Sequence, residues 1–179
     1  LLAAATEAGA GILDPDPEVI ELSHREVPLG WRSMMEIALA FSGVDESRRG
    51  PYLDAVAAIR TRLEESLPED IDGYRLGEYL LEYLHEHVLV RYRERQTRLD
   101  VLLDSGVYNC VSSSVLYFAL AESFGLPVRG TATPDHAFCS VDFEDRIVDV
   151  ETTTKYGFDP GRRKEFRDTF GNLTGYSYV

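Results

Sequence analysis

Apolar residues follow two rhythms along this chain, and the change between them falls near residue 105. Before it they recur every three or four positions, as on one side of a helix. Residues 31–41 are apolar-rich and stop near Gly43, which predicts a first helix. A second begins at Pro51, a residue suited to the first helical position, and runs to about 66 with Val56, Ile59 and Leu63 on one side. A third covers 74–95, with Leu76, Leu80, Leu84 and Val88 at i,i+4 spacing. A short helix at 99–103 leads into a loop at 104–108. The next helix starts at Cys110 and is apolar nearly all round, through Val115, Leu116, Phe118, Ala119 and Leu120, so it must be central. Gly125 and Pro127 stop it near Phe124, as a left-handed residue and a helix breaker do.

Beyond that helix the apolar positions alternate. Strands are predicted at about 128–133, 136–143 and 146–153, the last two joined by a two-residue turn, Glu144-Asp145. Pairing outward from that turn sets 138 opposite 151 and 140 opposite 149. Residues 155–161 read as a loop, 162–170 as a short helix and 175–179 as a last strand. Helices followed by a meander of strands predict an α+β fold. The expected organisation is one domain over 1–179, with a helical part at 1–105 and the cysteine helix and antiparallel strands at 106–179.

This layout puts reactive side chains in a telling order. Cys110 stands at the first turn of its helix, His136 opens the next strand but one, and Asp149 and Glu151 share a strand face with it in the expected pairing. An ordinary thiol is mostly protonated at neutral pH, whereas a helix N-terminus and a neighbouring imidazolium both favour the thiolate. The unpaired N–H groups of a helix start also stabilise a developing oxyanion. Thiol, imidazole and acid together point to nucleophilic catalysis at an acyl group. Glu151 lies one pair nearer His136 and is the first choice for the acid; Asp149 is the alternative. Cys139 alternates against His136, so it belongs to the core, and the same phase argues against a Cys110–Cys139 disulfide. Asn109, Tyr108 and Gln96 are unranked candidates for a further oxyanion donor.

The segment from Asn109-Cys110-Val111-Ser112-Ser113-Ser114 to Phe124-Gly125-Leu126-Pro127-Val128-Arg129-Gly130 resembles the cysteine-helix segment of the transglutaminase-like superfamily, whose members share a papain-like core. His136-Ala137-Phe138 is similar to that family's His-Ala-Trp, and Glu151 and Thr153 fall where it has the Asp and Thr of Asp-Pro-Thr. The resemblance covers roughly residues 98 to 155. It implies a triad of Cys110, His136 and Glu151 acting on an amide or peptide bond through a thioester, as a protease, amidase or transamidase. Its implied partner is a peptide or protein substrate. A catalytically silent domain that keeps the fold and binds a peptide or partner protein is the alternative.

Composition narrows the rest. At 179 residues and 44% hydrophobic content the chain can bury one substantial core. A formal charge of −13 argues against nucleic acid and anionic membranes as default partners, and no apolar run approaches a membrane span. His85-Glu86-His87 cannot share one ion, because i,i+2 residues on a helix diverge, and His87 is the one expected near the apolar stripe. Neither a Cys/His quartet nor a glycine-rich phosphate loop is present, so no metal and no cofactor are expected. The serines after Cys110 read as small residues for close helix packing, and Arg162-Arg163-Lys164 as a solvated face. The chain opens Leu1-Leu2-Ala3 without a methionine, so an upstream piece is expected, the start being either the remnant of a signal or lipoprotein leader or an engineered boundary, and the compartment, cytoplasmic or exported, stays open.

Overall fold

A computed structural model describes residues 30–162 of the chain. Helix α1 (Trp31–Phe41) buries Met35 and Leu39. Its first N–H donates to the Glu122 carboxylate at 2.8 Å, placing an acid from a distant helix at the positive end of its dipole. Gly43, at φ 76°, ends it in the left-handed conformation.

Helix α2 (Glu46–Ser66) buries Leu53, Val56, Ile59 and Leu63 along one stripe. It starts before Pro51, earlier than the proline suggests. A proline disfavours helical backbone in the residue before it largely through that residue's Cβ, and here that residue is Gly50. The buried Arg49 guanidinium donates to the Val44 carbonyl at 3.0 Å and ties this extra turn to the preceding loop.

Helix α3 (Gly73–His87) is capped by Asp72, whose carboxylate accepts the Arg75 N–H at 2.8 Å, and buries Leu76, Leu80, Leu81 and Leu84. It ends at His87 rather than near 95. Beyond it, Arg91–Tyr92 forms a strand, β1, that pairs in parallel with β2 (Val107–Tyr108). The N–H groups of Val90 and Arg91 both donate to the Gly106 carbonyl. Gly106 follows α4 (Leu99–Ser105) at φ 69°, and a Cβ there would stand 2.6 Å from the Val88 carbonyl oxygen. Only glycine lets the chain pass this close. The expected loop at 104–108 is therefore the end of a helix and a strand.

Helix α5 (Cys110–Ser123) is central as expected, with Leu116, Tyr117, Ala119, Leu120 and Ala121 buried. The buried Tyr117 hydroxyl donates to the Gly77 carbonyl on α3 at 3.0 Å. On the other side α5 packs on a three-stranded antiparallel sheet in the order β3 (Val128–Ala132), β4 (Ala137–Phe143), β5 (Arg146–Val150). Phe143 pairs with Arg146 across the two-residue turn, and Ser140 with Asp149, the expected register. Cys139, Val141, Val148 and Val150 point into the core.

Both strands are shorter than predicted at the end that carries the chemistry: His136 precedes β4 and Glu151 follows β5. The chain then loops and returns, Phe158 bridging back to Val150, before a 3₁₀ turn at Pro160–Arg162. The fold among the described residues is thus α+β, five α-helices with a three-stranded antiparallel sheet, and no helix there is long and apolar enough to cross a membrane. The strand predicted at 175–179, and all but the first residue of the helix predicted at 162–170, lie outside the described residues.

Candidate active site

Asn109 sets the position of Cys110. Its extended backbone stops short of the helix, and its Oδ1 accepts the N–H groups of Val111 and Ser112, each at 3.1 Å. Ser112 Oγ accepts the Asn109 N–H in return at 3.0 Å, closing a capping box. The Asn109 amide donates onward to the Glu94 carbonyl at 2.9 Å. Cys110 is thereby fixed as the first helical residue, with its own N–H left outside the cap. It is a free thiol and nearly buried, at 8% exposure.

His136 and Glu151 meet directly, His136 Nε2 lying 2.5 Å from Glu151 Oε2. Glu151 is 1% exposed, so this carboxylate lies out of water. Its other oxygen accepts the Thr153 N–H at 3.0 Å and the Thr153 hydroxyl at 2.6 Å. Every side of the acid has a donor, as a buried charge requires. Asp149 is engaged elsewhere, accepting the Ser140 hydroxyl at 2.9 Å. Of the two acids, Glu151 is the histidine's partner.

The segment behind Glu151 is bound to the cysteine helix. Thr152 Oγ1 lies 2.7 Å from Ser113 Oγ and 3.0 Å from Ser114 Oγ. The Thr152 carbonyl meets His85 Nε2 at 3.0 Å, and the Thr153 carbonyl accepts the Tyr108 hydroxyl at 3.3 Å. The serines after Cys110 therefore do more than pack closely: one completes the cap and two hold the acid's neighbour. His85 is the half-buried histidine of α3, whereas His87, expected there, is exposed beside the Tyr83 ring. Burial pushes the His85 pKa down, which suits a neutral ring donating Nε2–H to a carbonyl. No group of three or more His, Cys, Asp or Glu side chains among the described residues could hold a metal ion.

The three polar candidates for an oxyanion donor are already committed. Gln96 donates to the carbonyls of Arg98 and Val107, Asn109 is the cap, and the Tyr108 hydroxyl is bound to Thr153. Tyr92 escaped the sequence reading because a two-residue strand has no periodicity to detect. From β1 it pairs with Tyr108 of β2, their rings edge-on at 5.8 Å. Burial raises the pKa of its hydroxyl, and negative charge on Cys110, Glu94 and Glu151 raises it further.

Cys139 is fully buried, donates to the Ser114 carbonyl at 3.3 Å and has its pKa pushed up to about 12 by burial. It is a core thiol, and no disulfide joins it to Cys110.

The hydrogen bond that the His136 ring donates to Glu151 raises the His136 pKa above the ordinary 6.5, against a smaller opposing effect of burial. The charged ring is thus favoured in the folded protein. Its contribution to stability is fully present below about pH 6.5 and is lost as pH rises through the raised value. An NMR titration should place His136 above an ordinary histidine, and Glu151→Gln should bring it down. Urea midpoints should fall across the same pH window in wild type and stay flatter in the variant. No family model, curated protein or solved structure matches this chain.

Proposed function

We propose that this protein is a cysteine-dependent acyl-transfer enzyme acting on an amide or peptide bond, with a papain-like core of the transglutaminase-like kind and a triad of Cys110, His136 and Glu151. The buried His136–Glu151 pair carries the reading. A purely structural domain has no need to desolvate a carboxylate and give one of its oxygens to a histidine, and such pairs seldom improve stability over apolar packing. The capped helix start at Cys110 and the serine links from that helix to the acid's loop support the same reading.

In this mechanism Glu151 holds His136 through Nε2, so Nδ1 is the nitrogen that exchanges a proton with the thiol. The Cys110 thiolate attacks the carbonyl carbon, and the N–H of Cys110 stabilises the tetrahedral oxyanion. His136 then gives the Nδ1 proton to the departing amine, leaving a thioester on Cys110. Water, deprotonated by His136, resolves the thioester to an acid; an amine in its place yields a new amide. Either course restores the thiol.

The low exposure of Cys110 is the observation that favours a silent, peptide-binding domain instead. Iodoacetamide alkylation decides between them. Folded protein at mildly acidic to neutral pH should be alkylated rapidly at Cys110 and not at Cys139, whose fully buried thiol has its pKa pushed up to about 12. Labelling of Cys110 only after unfolding would end the enzyme reading.

A further inference from the structure

A cavity of about 500 Å³ lies between α1, α5 and the β3–β4 part of the sheet, beside the triad, and none of Cys110, His136 and Glu151 lines it. Small-ligand sites span roughly 300–1,000 Å³, so its size suits one or two side chains of a substrate. Ile37 and Phe41 of α1, Val115 and Phe118 of α5, and Gly130 and Phe138 of the sheet supply its apolar surface. Its wall continues to the candidate site. Val111 follows Cys110, Ala137 follows His136, and both line the cavity. Between them Ser114, one turn from Cys110 along α5, donates to the Ala137 carbonyl at 3.4 Å.

Polar side chains on this wall are mostly committed inside the protein. Ser42 Oγ donates to the Ala38 carbonyl and accepts the Leu99 N–H. Ser112 closes the cap, and Ser114 is bound to Ala137 and Thr152. Arg98 brings the single charge to the wall, and its guanidinium is forked onto Asp100 at 3.1 and 2.6 Å. The remaining polar side chains are Thr97 and Thr131. A charged group entering here would lose water against a mostly apolar wall, whose one charged side chain, Arg98, already holds a counter-ion in Asp100. Phe41 and Val111 leave apolar surface exposed where they line the cavity, which an apolar guest would cover.

We propose that this cavity is the specificity subsite of the acyl donor, and that it takes a bulky uncharged side chain, leucine- or phenylalanine-like, from one of the two residues on the acyl side of the attacked carbonyl. This rests on the cysteine-enzyme reading.

The test uses capped dipeptidyl acyloxymethyl ketones carrying Leu, Phe, Glu or Lys at either residue before the ketone. The thiolate displaces their carboxylate to leave a thioether on Cys110. The Leu and Phe reagents should label wild type on the order of 10- to 100-fold faster than the Glu and Lys ones. Gly130→Leu should erase that preference. Gly130 pairs with Cys139 and so faces α5, and a Cβ there meets only Phe118 Cδ2, at 4.0 Å, so the larger side chain fills the cavity without a backbone clash. Iodoacetamide needs no subsite, and an unchanged alkylation rate shows that the variant is folded. Equal labelling by all four reagents, or a preference that survives Gly130→Leu, overturns the subsite. If iodoacetamide leaves folded wild-type Cys110 untouched, the enzyme reading falls by itself. NMR shifts of Val115 and Phe118 in Cys110→Ala then decide the cavity: perturbation by N-acetyl-leucinamide and not by N-acetyl-glutamic acid amide supports an apolar side-chain site, and no such preference overturns it.

Discussion

Glu151→Gln should lower turnover by about 10⁴-fold, nearly as much as His136→Ala, although glutamine is the closest neutral match to glutamate. The reason lies in the orientation that Thr153 imposes. Its N–H and hydroxyl both approach Oε1, and the backbone N–H can only donate. A glutamine at 151 must therefore turn its carbonyl to Thr153 and its NH₂ to His136. Facing a donor, Nε2 becomes an acceptor and the ring proton moves to Nδ1, the nitrogen that has to receive the thiol proton. The triad would be geometrically intact and in the wrong tautomer. Cys110→Ala should abolish turnover outright, since no thioester can form, and Cys110→Ser should leave a trace. Asp149→Asn should leave most activity, because that carboxylate serves Ser140. Steady-state kinetics on an amide that the wild type turns over, with ¹⁵N NMR of the His136 ring, checks both parts. Wild type should carry the proton on Nε2 and Glu151→Gln on Nδ1. A variant that keeps more than about a tenth of wild-type turnover would refute the orienting role of Glu151.

How far the sequence could be read depended on the range of the interactions involved. Local rules sufficed for α5: an asparagine cap before Cys110 and a left-handed Gly125, at φ 78°, bound it on both sides. They also sufficed for the β4–β5 register, because a two-residue turn and a period of two leave one pairing that buries Cys139, Val141 and Val148. Reading failed where a second segment decides. Leucine spacing in α3 continues smoothly into Val88, yet the chain leaves the helix to reach a carbonyl made approachable by Gly106. Pro51 is a sound mark of a first helical residue where the residue before it carries a Cβ, and here that residue is Gly50. The choice between Glu151 and Asp149 was open for a similar reason. Strand phase puts both on the histidine's face, but β5 ends at Val150 and the loop that follows, held to Ser113 and Ser114, aims Glu151. The sequence marks those serines as small; it does not mark their hydroxyls as ties to Thr152.

That loop gives the largest stability effect expected from a single methyl group. In Gly157→Ala the new Cβ would lie 1.9 Å from the Glu151 carbonyl oxygen, 2.8 Å from its carbonyl carbon and 2.9 Å from its Cβ. The nearest contacts are backbone atoms, not the end of a side chain that can swing away. Nor can the two strands of the loop part easily. The Glu151 N–H donates to the Gly157 carbonyl at 2.8 Å, and the Asp159 N–H to the Asp149 carbonyl at 3.0 Å. Beside them Phe158 is buried, and Asp159 accepts the Tyr74 hydroxyl and pairs with Arg146. Relief must come from moving Glu151 or breaking this clamp, at a cost of about 3 kcal/mol or more, the upper end for overpacking a rigid site. A chain of this size should lose several degrees in Tm for that change, on the order of 2–4 °C per kcal/mol. Whatever fraction folds should also show His136 titrating closer to an ordinary histidine, because its partner has been displaced. Gly50→Ala is the control. That glycine lies in α2 and its Cβ would meet nothing within 4 Å outside its chain neighbours, but it would stand against the Pro51 ring, so the gain in helix propensity and the pre-proline clash oppose each other and the melt should shift far less than in Gly157→Ala. Thermal melts of both variants, with the His136 titration of Gly157→Ala, complete the comparison. If Gly157→Ala melts with wild type and leaves His136 unchanged, the loop closure at Gly157 does not position Glu151.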